Sequence, residues 1–262
     1  QTFGITDAPI FSQYLDYITH LFKGDLGVSS AYFPQSVSSV ILTGLAWTLF
    51  LVGISLIISF AIGTIIGMYI AWNRDEKLDS ILPPGFALLS AFPYFFTAMI
   101  LLYVFGFKYG WFPIRHAYSS DLTPEFSIPF IMSALYHAFL PASTLVFMGI
   151  GGWMLQMRNN MITTISTDYI SFAKARGLSE RRIMFYYAAK NAILPIITSF
   201  GMAIGFALNG AILTEIIFSY PGQGYILFEA VKSQDFQLMQ GIFLTITLSV
   251  LAINWIIDIL VL

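Results

Sequence analysis

The sequence has no cysteine and only three histidines in 262 residues. A chain without cysteine forms no disulfide, no thiolate metal site, no iron–sulfur cluster and no cysteine nucleophile. Charged residues are scarce as well, at 10% of the chain, whereas a soluble domain carries about 25%. A water-soluble protein is therefore nearly excluded. The net charge of −2 also gives no reason to expect nucleic acid as a partner.

Hydrophobic residues make up 57% of the chain, and residues 26–73 contain no charged side chain. Because about 20 apolar residues suffice to cross a bilayer, this stretch alone predicts an integral membrane protein. Long apolar runs predict five spanning helices, over residues 40–72, 85–107, 130–157, 191–218 and 238–262. The predicted fold class is an all-α membrane protein, a polytopic helical bundle that forms one domain over residues 1–262.

The basic residues indicate how the bundle is oriented. With alternate loops on opposite sides, eight of the twelve Lys and Arg residues fall on one side, and the positive-inside bias places that side in the cytoplasm. Residues 1–39 then lie outside, where apolar residues at helical spacing from Phe11 to Phe22 predict a short amphipathic helix on the outer surface. Since five spans from an outer start leave the C-terminus inside, we expect a sixth, N-terminal span in the full protein.

The longest cytoplasmic loop, residues 158–190, holds six of the twelve basic residues. Thr167 can cap a short helix, Asp168 suits its first turn, and Gly177 is the residue type expected just past its end. Ser179 can then cap a second helix that runs back towards the membrane. The loop therefore predicts two helices separated by a glycine break.

Two interpretations of this loop stay open on physical grounds. The basic residues can anchor it to anionic lipid head groups. The short helix is also apolar, however, at Tyr169, Ile170, Phe172 and Ala173. A purely electrostatic anchor does not need apolar residues, whereas a protein socket does.

Three ordered blocks of residues resemble a known family. They are Gly24-Asp25-Leu26-Gly27 with Ser29; Tyr169-Ile170, Ala173-Lys174-Ala175-Arg176-Gly177-Leu178-Ser179 and Asn191-Ala192-Ile193-Leu194-Pro195; and Phe218-Ser219-Tyr220-Pro221-Gly222-Gln223-Gly224 with Glu229-Ala230 and Asp235. The chain resembles the permease subunits of ATP-binding-cassette importers, in the dipeptide, oligopeptide and nickel group. The central block resembles the Glu-Ala-Ala loop of that family, although Ser171-Phe172-Ala173 lacks its glutamate.

The resemblance implies a permease of the inner (plasma) membrane that works by alternating access and is not itself an enzyme. Residues 168–179 would form the coupling helix, seated in a cleft of an ATPase subunit. The residues implied in coupling are Asp168, Tyr169, Phe172, Ala173, Lys174, Arg176, Gly177, Leu178 and Ser179.

The implied partners are a homologous second permease, two cytoplasmic ATP-binding subunits or domains, and an extracytoplasmic solute-binding protein, all at the lipid bilayer. The chain has no Gly-x-x-x-x-Gly-Lys-Ser/Thr phosphate loop. ATP and Mg would therefore be bound by the partners, and we expect no cofactor, metal or catalytic residue in this chain.

The sequence leaves the solute and the pathway open. Di- or oligopeptides are the main expectation from the resemblance, with oligosaccharides or nickel as alternatives. A secondary transporter is an alternative class, but it would need ionisable groups near the midplane. Glu215, near the outer end of the fourth span, is a candidate for the translocation path, with Asn209 as a second; the alternative for Glu215 is a structural role in contact with interfacial water.

Overall fold

The computed structural model describes residues 9–74, 77–207 and 211–261. The α-helices in these residues are α1 (Ile10–Phe22), α2 (Val37–Trp72), α3 (Lys77–Ala91), α4 (Tyr94–Leu101), α5 (Ile128–Ile165), α6 (Asp168–Ala175), α7 (Glu180–Arg182), α8 (Lys190–Ala192), α9 (Leu194–Ala207), α10 (Ile212–Ile217), α11 (Gln223–Lys232) and α12 (Phe236–Val261). Two π-helical segments, Leu102–Lys108 and Ile183–Ala189, continue α4 and α7. The described chain has no named strand, only an isolated bridge between Val28 and Ser36. The all-α class is confirmed.

The helices α2 and α5 form the central pair. They have 36 and 38 residues, and both are long and apolar enough to cross a membrane. They approach closely because glycine lies at their crossing. A Cβ atom at Gly63 would lie 2.7 Å from the Ile150 carbonyl oxygen, and one at Gly67 would lie 2.4 Å from that of Met154. These small residues therefore serve packing within the chain.

The second and fourth predicted spans are not continuous helices. The break in the second corrects the prediction of one helix, whereas Pro195 predicts a bend in the fourth. In the second, α3 and α4 meet at a sharp bend before Tyr94. In the fourth, the helical stretch 180–192 meets α9 at an angle of 49°. A proline lies at each break. Pro93 disfavours helical backbone at Phe92 before it, and Pro195, in the first turn of α9, lacks the N–H group that would bond back to the preceding helix.

Two further elements were predicted from apolar spacing. The helix α12 begins two residues before the fifth predicted span, and its stretch Phe236–Ala252 is apolar but shorter than the two long helices. The helix α1 forms where the N-terminal pattern predicts it. Its chain turns away through Gly24, whose φ is +73°. Following the predicted orientation, we call the Trp72 end of α2 the inner end and the Val37 end the outer end.

Candidate functional site

The loop between α5 and α9 packs on the inner ends of α2 and α5 through an apolar cluster, which we call the inner cluster. Its buried members are Met68, Ala71, Met157, Met161, Ile170, Ala173, Ile183, Met184, Ala188, Ala192 and Ile196. Four of these eleven residues are methionines, whose flexible side chains fill irregular gaps. The loop contributes one face of α6 and most of the buried face of the stretch 183–192 to this cluster.

The helix α6 ends in a Schellman motif. Gly177 has a φ of +72°, the Gly177 N–H donates to the Lys174 carbonyl at 2.9 Å, and the Leu178 N–H donates to the Ala173 carbonyl at 3.4 Å. These two bonds are the pair that defines the motif, and the contact of Leu178 with the inner cluster supplies its apolar component. The prediction of a left-handed glycine after the short helix is confirmed.

The caps at the starts of the two loop helices differ from the sequence prediction. Thr167 and Ser179 occupy the N-cap positions with extended backbone, but neither side chain caps its helix. The Thr167 hydroxyl instead donates to the Thr164 carbonyl at 2.6 Å. That carbonyl lies in the last turn of α5, where carbonyl groups lack helical partners. The helix boundaries were therefore predicted correctly, and the capping hydrogen bonds were not.

The two faces of α6 are distinct. Ile170 and Ala173 are 1% and 3% exposed, whereas Phe172 is 70% exposed and Tyr169 is 39% exposed. Ala173 was predicted beside Phe172 on the docking face, and the structure places it on the opposite, buried face. The reason is the helical period, since residues three apart share a face and Ala173 follows Ile170 by three.

Two polar contacts hold α6 against its neighbours, Trp72 at the end of α2 and Asn191 of α8. The Lys174 ammonium lies 5.6 Å from the centre of the Trp72 ring at the end of α2, within the range of a cation–π interaction. The Asn191 side-chain amide donates to the Tyr169 hydroxyl at 2.9 Å. The outward side of the helix also carries the exposed residues Asp168 and Arg176. The helix thus presents an aromatic and charged face on a fixed base.

Arg158, a second basic residue of the loop, is also engaged within the chain. Arg158 forms a two-pronged ion pair with Asp79, in which Nη2 donates to Oδ2 at 2.9 Å and Nε donates to Oδ1. The pair joins the start of α3 to α5. Arg158 is therefore not a free anchor for lipid head groups.

At the opposite end of the molecule, Glu215 of α10 lies at the centre of a buried hydrogen-bonded contact, which we call the outer junction. It consists of Thr48, Glu215, and the turn and first residues of α11, 222–225. The Glu215 side chain accepts hydrogen bonds from the Thr48 hydroxyl at 2.7 Å and from the Gly224 and Tyr225 N–H groups at 2.7 and 3.3 Å. All three partners donate, which is the pattern that suits an ionised carboxylate.

This contact accounts for the unpaired N–H groups at the start of α11. The N-cap residue is Gly222, which has no side chain to offer. The Gln223 N–H donates to the Thr48 hydroxyl oxygen at 2.8 Å, and the next two N–H groups donate to Glu215. Side chains of α2 and α10 therefore cap α11, and the carboxylate also lies favourably at the positive end of its dipole.

Glycine is required where the turn meets this carboxylate. A Cβ atom at Gly222 would lie 2.3 Å from the Glu215 Cδ atom, and one at Gly224 would lie 2.5 Å from the Ile212 Cα atom. No side chain fits at such distances. The glycines of the Pro221-Gly222-Gln223-Gly224 sequence thus make room for Glu215.

The other end of α11 is held by a second buried carboxylate. Asp235 Oδ2 accepts from the Ser29 hydroxyl at 2.6 Å and from the Ala31 N–H at 3.1 Å, while Oδ1 accepts from the Leu238 N–H at 3.0 Å. Burial raises the pKa of the Asp235 carboxyl, but these hydrogen bonds outweigh burial and hold the pKa below its usual value. Asp235 thereby joins α12 to the segment before α2.

Of the two residues predicted for the translocation path, the structure describes only Glu215. Asn209 lies outside the described residues. Glu215 is 1% exposed, so it does not reach interfacial water in this structure, and it accepts hydrogen bonds from Thr48, Gly224 and Tyr225. Sequence reasoning missed its partner Thr48, because an isolated threonine in an apolar helix gives no indication of what it faces. The Asp79–Arg158 pair was also missed.

No group of three or more His, Cys, Asp or Glu side chains within the described part of the chain could hold a metal ion. The two sites are the exposed face of α6 on the inner cluster and the outer junction.

Comparison with known proteins supplies the family. Residues 63–262 match the family of binding-protein-dependent transport system inner membrane components. A Brucella suis protein named as a peptide permease is 34% identical over 254 residues, covering 96% of this chain and 77% of the relative. The di/tripeptide transport system permease DppB of Pseudomonas aeruginosa is 31% identical, with 97% and 79% covered. The oligopeptide transport system permease AppB of Bacillus subtilis is 30% identical, with 99% and 80% covered.

Proposed function

The chain belongs to the family of binding-protein-dependent transport system inner membrane components, and from this premise we propose that it forms part of the path by which an importer takes up di- or oligopeptides. The relatives named as peptide permeases support the peptide substrate. The family membership makes the chain a transport subunit of the inner membrane.

The exposed face of α6 is proposed as the surface that contacts an ATPase subunit. The observation that carries this proposal is the 70% exposure of Phe172 on a helix whose opposite face is buried. An aromatic side chain held outward on a rigid base suits insertion into a pocket of another protein. Tyr169, with Asp168 and Arg176, would contact the rim of that pocket.

Other members of the predicted coupling set would act by holding the helix. Ala173 and Leu178 pack inward on the inner cluster, Gly177 allows the turn, and Lys174 lies against Trp72. Ser179 begins the return helix. A displacement of the ATPase would then reach α2 and α5 directly, because the base of α6 is the inner cluster.

The remaining partners follow from the type of machine. We propose a homologous second permease, an extracytoplasmic solute-binding protein, and two ATP-binding subunits or domains that bind ATP and Mg. This chain lacks a phosphate loop in its sequence, so hydrolysis would take place in the partners.

Uptake by the assembled importer in vesicles tests this proposal. With its binding protein outside and ATP inside, the complex should accumulate labelled di-, tri- or oligopeptides, and an ionophore that collapses ion gradients should leave the rate unchanged. Uptake driven by an ion gradient without ATP would indicate a secondary transporter. Accumulation of nickel or an oligosaccharide but no peptide would replace the proposed substrate while keeping the machine.

A further inference from the structure

The outer junction joins three helices through one carboxylate. The Thr48 hydroxyl of α2 donates to Glu215 of α10, and the same hydroxyl accepts from the first N–H of α11. A buried donor or acceptor that loses its partner is costly, and a buried charge that does so is costlier still. Moving α11 away from α2 would therefore remove hydrogen-bond partners from Glu215, Thr48 and the first-turn N–H groups of α11 at the same time.

A second contact restrains the far end of the same helix. Asp235 lies three residues after the end of α11 and accepts hydrogen bonds from Ser29 and Ala31, which precede α2. Between the two ends, Ile226 and Ala230 of α11 pack with Val37, Val40 and Ile41 of α2 in one buried cluster. The helix α11 is therefore held to the outer half of α2 along its whole length.

We propose that Glu215 is a positioning residue that fixes α11 to the outer half of α2, so that the two helices move as one body during the transport cycle. On this proposal, which rests on the proposed transport function, the carboxylate touches no solute. It keeps the first turn of α11 capped while the body moves. The competing role, a charge lining the translocation path, predicts a different response to a covalent substitute for the contact.

A disulfide between α2 and α11 is the covalent substitute for this contact, and the two helices approach closely at Gly44 and Gln223. A Cβ atom at Gly44 would lie 3.5 Å from the Gln223 Cα atom, and its closest clash is with the end of the flexible Ile226 side chain. The two backbones are thus in contact at this point, so positions 44 and 223 are the pair at which to introduce cysteines as a bridge between α2 and α11; the bond forms where their Cβ atoms come about 3.5 to 4.5 Å apart. The Gln223 side-chain amide makes no hydrogen bond to the described residues, so its replacement breaks none of the contacts of the outer junction. The chain has no native cysteine, so oxidation acts on the introduced pair alone.

The experiment compares ATP-driven peptide uptake per assembled complex in the full importer, oxidised and then reduced. Glu215→Gln reverses the polarity of one carboxylate oxygen, and we expect about a fivefold loss of uptake, the equilibrium effect of one hydrogen bond of ordinary strength. Adding Gly44→Cys with Gln223→Cys should restore uptake to within about twofold of the parent when oxidised. Reduction should remove the rescue. When Glu215 is unchanged, the variant with Gly44→Cys and Gln223→Cys should transport equally well in its disulfide-bonded and reduced forms.

A role in folding alone would not respond to oxidation after assembly, so the reversible rescue separates positioning from stability. Three results would overturn the proposal: unchanged uptake in Glu215→Gln, no rescue by the bridge, or loss of uptake when the bridge forms in the Glu215 background. The last would mean that α11 must move against α2.

If the bridge does not form, variants of Thr48 test the same proposal. Thr48→Val should reproduce the loss seen in Glu215→Gln, the double variant should be no worse than either single variant, and Thr48→Ser should transport normally. Thr43→Val, five residues earlier at an exposed position of α2, is the matched control and should transport normally. Additive losses would overturn the shared contact.

Failure of the proposed substrate is recognised separately, because the unsubstituted complex then takes up no peptide. The same comparisons are then read from ATP hydrolysis stimulated by the binding protein. A rescue there supports the positioning role for whatever solute is carried.

Discussion

The two ends of the molecule are built by opposite means. At the inner cluster, α6 rests on methionine and small apolar side chains, with a single glycine turn at its end. At the outer junction, α11 is joined to α2 and α10 by directed hydrogen bonds to one buried carboxylate. Apolar contact has no preferred direction, and methionine adapts its shape, whereas a buried carboxylate tolerates little displacement of its donors.

The difference suggests a division of labour in a transport subunit. The inner contact can transmit a push while its side chains adjust to a new packing. On our proposal, the outer contact keeps α11 with the outer half of α2 through the same movement. Substitutions at the outer junction should therefore lower the stability of the fold strongly. Substitutions at the inner cluster and on α6 should distinguish residues that stabilise the fold from residues that couple ATP hydrolysis to uptake.

The largest effect is expected from Gly222→Ala at the outer junction. The new methyl group would lie 2.3 Å from the Glu215 Cδ atom and would displace the carboxylate from its donors. We expect a loss of about 3 to 5 kcal/mol, the usual cost of leaving a buried charge without its partner. The amount of assembled complex in the membrane and its thermal inactivation measure this loss.

Gly53→Ala is the matched control for that substitution. Gly53 lies in α2, and a Cβ atom there meets nothing within 4 Å. The control should assemble and transport normally. An equally stable Gly222→Ala complex would contradict the view that the outer junction is rigid.

The next effect is expected from Ala173→Asp at the inner cluster. Ala173 is 3% exposed, so the new carboxylate would be buried without a partner, at a cost of about 3 kcal/mol or more. The loop should detach and both stability and uptake should fall. Ala175→Asp places the same charge on an exposed position of α6, and it should cost well under half as much even though it opposes the helix dipole. Similar losses in the two variants would mean that the inner cluster does not hold α6.

A smaller effect is expected from Gly177→Val. A Cβ atom at this position meets nothing within 4 Å, so the cost comes from the backbone alone, whose φ is +72°. Left-handed backbone costs a β-branched residue about 1 to 2 kcal/mol. The stability of the detergent-purified complex should fall by that amount, and coupling of ATP hydrolysis to uptake should weaken as α6 turns on its base. Gly177→Asn, which tolerates this conformation, should recover most of both; equal damage from Asn and Val would count against a backbone cause.

Sequence patterns predicted the parts of this structure that depend on local chemistry. A run without charge identified α2, and the residue type at 177 identified the left-handed turn after α6. They did not predict which residues meet across the fold. Thr48 and Glu215 are 167 positions apart, and apolar periodicity fixes a helix but not its rotation against a neighbour. Pro195 predicts a kink or a packing bend in the fourth span, because it removes a helix hydrogen bond, and the helices meet there at an angle of 49°. The bend in the second span was not predicted, because a span defined by hydrophobicity alone does not indicate where its helix breaks.

The smallest effect on folding, and the sharpest test of the inner end, is expected from Phe172→Ala. Phe172 is 70% exposed, so truncation should change the stability of the purified permease by no more than about 0.5 kcal/mol. If the ring enters a pocket of an ATPase subunit, its loss should weaken that contact by about 2 kcal/mol. ATPase copurification and uptake should then fall while the permease stays in the membrane.

The control for this variant is Phe126→Ala, because Phe126 is fully exposed in the loop before α5, at the opposite end from α6. It should leave copurification and uptake unchanged. A lipid anchor predicts another order of damage: Arg181→Gln with Arg182→Gln would impair uptake more than Phe172→Ala, because head groups bind the charges and not the ring. The docking proposal requires the reverse order, since a basic rim contributes less than an enclosed aromatic anchor. Normal ATPase recovery and uptake in Phe172→Ala would therefore indicate that α6 contacts the membrane. The inner end would then have no role in ATPase docking.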